Sequence, residues 1–271
     1  MKVQILPLLQ GNITPYSSIG VEHEATNFGV ASSSLARGSM RYFGGKSLIA
    51  KDIANVISQY RKDEQIYVEP FVGGGWVLVE VSGKRLAIDK NPYLISLWKA
   101  LQDGWIPPET VSEQEYIEVK NGKETPAHIK AFIGFGCSFG GKWFGGYGRD
   151  CGGRNYAREA RNSLLRKVPF IKEVEFSCSD YRDLKFSDCL IYCDPPYDGC
   201  ADYTQTGKFN SGEFWEVARR WSANNTIIVS EYNAPQDFKC VWERSVAVSA
   251  TNLSTRKRAR AIEKLYIYRS C

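Results

Sequence analysis

From Ser47 onward the chain alternates between two hydrophobic rhythms. Leu48, Ile49, Ile53, Val56 and Ile57 recur at the spacing of one helical face, which predicts a helix from Ser47 to Tyr60. Ile66-Tyr67-Val68-Glu69-Pro70-Phe71 then reads as a strand, followed by a glycine loop and a short helix. Arg85-Leu86-Ala87-Ile88-Asp89 predicts a second strand, Tyr93 to Leu101 a helix, and Cys189 to Asp194 and Thr226 to Ser230 two further strands. Strands that alternate with helices point to an α/β, doubly wound fold with a mainly parallel sheet.

The rhythm breaks in two places. Residues 10 to 39 are polar and patternless and end in Ala31-Ser32-Ser33-Ser34-Leu35-Ala36-Arg37-Gly38-Ser39, so residues 1–39 are expected to be a disordered tail or an appended prefix. Between about Gln102 and Phe170 the alternation stops, and the stretch from Phe132 to Arg149 crowds glycine, aromatics and cations together. Such a stretch makes a poor helix and an awkward strand. It suits a surface that meets a ligand, because glycines permit close backbone approach while aromatics and arginine stack or bind phosphate. A loop pinned by its own buried aromatics fits it equally well. The helical run from Arg158 to Lys167 then returns the chain to the sheet with a basic face. The expected organisation is a sheet domain of residues 40–101 and 171–271, interrupted by an inserted region, 102–170.

Composition narrows the picture. A chain of 271 residues buries a full core without covalent staples. The formal net charge of +5 is a mild excess, but Arg256-Lys257-Arg258-Ala259-Arg260 concentrates it, which suits a polyanionic partner without demanding one. Eight cysteines with no C-x-x-C pair, beside only two histidines, argue against zinc and for free thiols in a reducing cytosol. No stretch approaches the roughly 20 apolar residues of a membrane span. The opening Met1 to Leu9 is a poor signal peptide, broken by Gln4 and Pro7. A soluble, cytoplasmic protein with no metal is expected.

The most specific chemistry is Asp194-Pro195-Pro196-Tyr197, at the end of an apolar strand. A carboxylate and a backbone carbonyl held by two prolines can together accept hydrogen bonds from one NH2 group, while Tyr197 offers a flat face to the ring bearing it. That points to methyl transfer onto an exocyclic amine; a simple turn is the bland alternative. Phe71-Val72-Gly73-Gly74-Gly75 lies between a strand and a helix, where a glycine turn lets the backbone approach a ligand, and Asp89 closes the next strand, placed to accept from ribose hydroxyls. A dehydrogenase uses the same geometry, but the loop is not G-x-G-x-x-G and no second dinucleotide half is visible. A single-nucleoside cofactor such as S-adenosylmethionine is favoured. The alternative for Asp89 is a helix N-cap ahead of Asn91-Pro92. Arg41-Tyr42-Phe43-Gly44-Gly45-Lys46, just before the first helix, combines a glycine pair with aromatics and cations and reads equally as a solvated loop.

Taken in order, the Tyr42 to Lys46 loop, the Phe71 to Gly75 turn, Asp89-Lys90-Asn91 and Asp194-Pro195-Pro196-Tyr197 resemble the Dam-like (D12 class, alpha group) DNA adenine-N6 methyltransferases. The resemblance runs from Met40 to the C-terminus and takes in Ala160 to Leu165 and Thr255 to Tyr266. It implies a Rossmann-like methyltransferase sheet carrying an inserted, mainly helical target-recognition domain, and double-stranded DNA as partner. It implies S-adenosylmethionine contacts from Tyr42, Lys46, Phe71, Gly73, Gly75, Asp89 and Asp194, with Asp194, Pro195, Pro196 and Tyr197 catalytic. Arg41 matches a basic position that reaches DNA; Lys142, Trp143, Tyr147, Arg149, Arg256, Lys257 and Arg258 are further candidates. Methylation of RNA or of a protein side-chain amide, and a catalytically silent nucleic-acid-binding module, are the alternatives; an asparagine-initiated tetrapeptide would have favoured the first of these, and Asp194 argues against it.

Overall fold

The computed structural model describes residues 45–149, 152–196, 209–251 and 258–268. Arg41, Tyr42, Tyr197, Arg256, Lys257 and the expected prefix 1–39 lie outside them; Arg258 is described in its backbone alone.

Helix α1 (Ala50–Tyr60) leads into β1 (Ile66–Glu69). The strand stops two residues short of expectation because Pro70 has no N–H to extend the ladder. The expected short helix after the glycine loop is a single 3-10 turn, Leu78–Glu80. Strand β2 (Arg85–Asp89) and helix α2 (Pro92–Gln102) follow. Asn91 caps α2, its side chain accepting from Tyr93 N at 3.0 Å and Leu94 N at 3.4 Å, with Pro92 in the first turn. Asn91, not Asp89, is therefore the cap, and Asp89 is left for other work.

The chain then forms α3 (Glu113–Lys120), α4 (Ala127–Ala131), a π-helical turn (Phe132–Gly136), α5 (Tyr156–Leu165) and α6 (Val168–Ile171) before β3 (Val174–Cys178). Beyond it come β4 (Cys189–Cys193), α7 (Ser211–Ser222), β5 (Thr226–Glu231) and the long strands β6 (Phe238–Thr251) and β7 (Arg258–Tyr268). The sheet order is β3-β2-β1-β4-β5-β7-β6. The first five strands of that order pair in parallel, and β7 runs antiparallel to both β5 and β6. This is a doubly wound, Rossmann-like sheet with an antiparallel hairpin at one edge.

Alternate residues of each strand feed opposite faces. Tyr67, Ala87, Leu190, Tyr192 and Ile228 point to the side covered by α1 and α2, while Val68, Ile88, Ile191, Cys193 and Val229 meet α7 through Phe214 and Trp221. All five residues of β4 are buried, as expected of a central parallel strand covered on both faces. The helical segment after α2 adds Ala131, Phe132, Ile133, Phe144, Ala160 and Leu164 to the first of these cores, so it extends that core. Its return to the sheet is clamped by Gln102, whose side-chain nitrogen lies 2.8, 3.0 and 2.9 Å from the carbonyl oxygens of Ile171, Lys172 and Val174.

Gln102→Leu removes the side-chain donor from these carbonyls, two of which are partly buried. It is expected to cost about 1–3 kcal/mol in urea denaturation. An unchanged midpoint would show that the clamp contributes nothing.

Candidate cofactor and catalytic site

The order of the strands fixes where a ligand can enter. From β1 the chain travels one way across the sheet to β2 and β3, then crosses back to place β4 on the other side of β1. Ligands of such sheets lie beyond the carboxyl ends of the strands at this reversal, where the departing segments diverge. Glu69 ends β1, Asp89 ends β2 and Asp194 directly follows β4. Three acids therefore stand at neighbouring strand ends.

The glycine loop after β1 is held from several sides. Val72 N donates to Ile88 O at 2.9 Å, and Gly75 N to Val72 O at 2.8 Å. Asp89 accepts from Gly73 N through Oδ2 at 3.0 Å and from Asn91 N through Oδ1 at 2.9 Å. Its carboxylate thus fixes the loop as well as facing the crevice, and burial, opposed by those two bonds, pushes its pKa up to about 6. Gly73 and Gly75 have φ of 44° and 59°, and a Cβ on Gly75 would lie 3.0 Å from the Trp98 ring. A side chain at Gly75 would be both strained and crowded. Phe71 turns to the other face, its ring 5.1 Å from that of Tyr181 and 5.7 Å from that of Phe214.

Lys46 is 7% exposed and its Nζ lies 2.9 Å from Asp194 Oδ1 and 3.6 Å from Glu263 Oε2 on β7. Burial works against its charge, but Asp194 and then Glu263 outweigh it and hold its pKa above the ordinary lysine value. The structure thus joins a loop before α1, the end of β4 and an edge hairpin through one ammonium. Pro195 is buried and Pro196 half-buried beside it. Glu69, 3% exposed, accepts from Tyr67 Oη at 2.6 Å. Burial drives its pKa to about 8; the Tyr67 bond opposes this, Asp194 adds to it and Lys167 opposes it.

Sequence reasoning passed over Glu69, Glu263 and Lys167. Glu69 was legible as a strand-end acid directly before the glycine turn. Glu263 sits in a strand that carried no clear period, and Lys167 is separated by 93 residues from the Gly74 carbonyl to which it donates. Among the described residues no group of three or more His, Cys, Asp or Glu side chains is placed to hold a metal ion. No described helix is long and apolar enough to cross a membrane.

The glycine and aromatic stretch of the helical segment is packed largely on itself. Trp143 is half-buried, with its ring 4.7 Å from Phe135, 4.8 Å from Tyr93 and 4.9 Å from Phe144. Tyr147 Oη donates to Val111 O at 2.6 Å. A Cβ on Gly134 would meet Trp143 and Phe144 at 2.8 Å, and one on Gly148 would meet the Tyr156 ring at 2.5 Å. Those two glycines make room for the chain's own rings. Arg149 forms an exposed pair with Glu113, and Lys142 and Phe139 are exposed, Phe139 by 63%.

Comparison with known proteins defines the class. Residues 42–128, which hold the Lys46 loop, the glycine turn and Asp89, match the family described as D12 class N6 adenine-specific DNA methyltransferase. Proteins described as DNA adenine methylase from two Vibrio cholerae serotype O1 strains are 26% identical over 246 residues, covering 81% of this chain and 82% of theirs. Solved structures with some likeness include a putative RNA methyltransferase from Pyrococcus horikoshii, with a TM-score of 0.41, 7% identity and coverage of 83% of this chain and 86% of that one. A 23S rRNA methyltransferase, ErmE, gives a TM-score of 0.36 at 10% identity, with coverage of 84% and 70%. The chain is thus similar to DNA adenine methylases over most of its length, and residues 42–128 match the D12 class pattern.

The Glu69 carboxyl yields a prediction with a sign. An acid whose pKa is raised in the folded state binds its proton more tightly there, so stability falls as pH climbs from about 4.5 towards about 8 and levels off above. Glu69→Gln keeps an acceptor for Tyr67 and removes the ionisation. Its melting temperature is expected to match the parent near pH 4.5 and to exceed it increasingly up to about pH 8. A difference independent of pH would contradict the assignment.

Proposed function

We propose that this chain is a site-specific DNA adenine methyltransferase that methylates N6 of an adenine flipped out of duplex DNA, with S-adenosylmethionine as donor. The observation that carries the reading is the placement of Asp194 and the two following prolines beside the glycine loop and Asp89, across the β1–β4 reversal. The D12 class match and the DNA adenine methylase relatives support it.

The chain's residues suit the cofactor. The turn from Phe71 to Gly75 brings backbone close to a nucleoside, each oxygen of Asp89 keeps acceptor capacity for ribose hydroxyls, and Phe71 anchors the turn by packing on Tyr181 and Phe214. Lys46 and Tyr42 complete the set on the side before α1. When bound, S-adenosylmethionine supplies a methyl group on a positively charged sulfur, already a strong electrophile.

The protein's task is alignment. Asp194 and the Pro195 carbonyl accept the two N6 hydrogens, which directs the nitrogen lone pair along the line of transfer. Lys46, held by Glu263 as well, fixes the Asp194 carboxylate so that one geometry dominates. Tyr197 stacks on the flipped base. On gaining the methyl the amine acquires positive charge, which the Asp194 carboxylate stabilises where it forms; the donor would leave as a neutral thioether, and the ammonium then loses one proton to solvent.

Duplex DNA lies against the helical segment of the inserted region 102–170. Lys142 and Arg149 reach phosphates from its exposed side, and Trp143 and Tyr147 keep that side in shape; Arg41, Arg256, Lys257 and Arg258, by sequence, are further candidates for phosphate contact. The DNA substrate puts this activity in the cytoplasm of a bacterial or phage-infected cell.

Asp194→Ala is expected to lower N6-methyladenine formation in unmethylated duplex DNA by at least about a hundredfold while circular dichroism shows the fold retained. Near-parental turnover by that variant would remove Asp194 from the mechanism.

A further inference from the structure

Lys167 is 4% exposed, stands between α5 and α6, and takes no part in the chemistry described so far. Its Nζ donates to Gly74 O at 2.5 Å and lies 3.3 Å from the centre of the Trp76 ring and 5.7 Å from that of Trp98. Trp98 Nε1 in turn donates to Gly73 O at 3.0 Å. Two consecutive carbonyls of the glycine loop are thus tied down by donors from α2 and from the end of the helical segment, while Gly73 N is tied to Asp89. With those groups engaged, the loop has little freedom to relax from the positive φ of Gly73 and Gly75.

A buried ammonium needs a reason to be there, because packing alone is served better by an apolar side chain of the same length. Burial pulls the Lys167 pKa down to about 7, against the pull of Glu69 on β1 and with the push of Arg166 beside it. At that pKa the amine is charged only part of the time near neutrality, and in either form it donates to Gly74 O. What its burial secures is a single loop conformation, since the bond ties Gly74 O to a segment 93 residues away.

We propose that Lys167 is a positioning residue for the cofactor loop, through which the helical segment holds that loop in the shape that binds S-adenosylmethionine. The inference rests on the cofactor assignment made above. It also makes the segment that meets DNA and the loop that meets the cofactor mechanically continuous, because α5 packs on the buried π-helical turn through Ala160, whose Cβ would lie 2.9 Å from a Cβ on Gly136.

The test is Lys167→Met, which keeps the length and the contact with Trp76 and removes the donor and the charge, with Lys167→Gln as a second variant that keeps a donor. Calorimetric titration with S-adenosylmethionine should show affinity weakened about tenfold in Lys167→Met and less in Lys167→Gln. In turnover, KM for S-adenosylmethionine should rise by a similar factor while kcat changes less than about twofold. The melting temperature should stay level or rise, as expected when a buried charge is replaced by a matching apolar group. Unchanged affinity in both variants would overturn the proposal. So would a lowered melting temperature with kcat and KM moving together, or failure of both variants to fold, since each marks a merely structural lysine. Absence of S-adenosylmethionine binding by the parent chain would instead overturn the cofactor reading, and this inference with it.

Discussion

The reversal of the chain between β1 and β4 is the constraint on which the rest depends. Because the path runs from β1 out to β3 and then returns to the far side of β1, the loops leaving β1 and β4 part from one another and leave a crevice at the sheet edge. Whatever those strands carry at their carboxyl ends is brought together, however far apart it lies in sequence. Glu69, Asp89 and Asp194 arrive there by topology alone, and the remaining features of the site manage the consequences of having put them there.

The first consequence is charge. Burial strips hydration from these acids and raises the pKa values of Glu69 and Asp89, and at Glu69 the nearby Asp194 adds to the rise. Two buried lysines compensate, and each comes from outside the parallel strands. Lys46 precedes α1 and pairs with Asp194 and Glu263; Lys167 follows α5 and faces the glycine loop. Cations drawn from remote segments make the crevice a product of the whole chain. A ligand carrying positive charge relieves the same imbalance, and the sulfonium of S-adenosylmethionine is such a ligand.

Much of the sheet was legible because central parallel strands are short, apolar and bounded by turn residues. Arg85 to Asp89 has the expected limits, and Cys189 to Cys193 and Thr226 to Glu231 differ from expectation by one residue each. The edge hairpin of β6 and β7 was not legible. Its strands carry Lys239, Glu243, Arg244, Arg260 and Lys264, charges that discourage edge pairing with other chains and erase the apolar period. Of the site, the motif residues Gly73, Gly75, Asp89 and Asp194 stood out through local spacing, whereas Glu263 and Lys167 act over distances that no local pattern encodes. The aromatic stretch carried two readings, and the packing of Trp143 and the close approach at Gly134 and Gly148 show how much of it serves the chain's own core.

This crevice is proposed to present an exocyclic adenine nitrogen to a methyl donor. The direct measurement is incubation of unmethylated duplex DNA with the protein and labelled S-adenosylmethionine, digestion to nucleosides, and identification of the labelled nucleoside by mass spectrometry. The account predicts N6-methyladenine, at positions that share one sequence context. Label on cytosine, or none on DNA while RNA or protein is labelled, would contradict it.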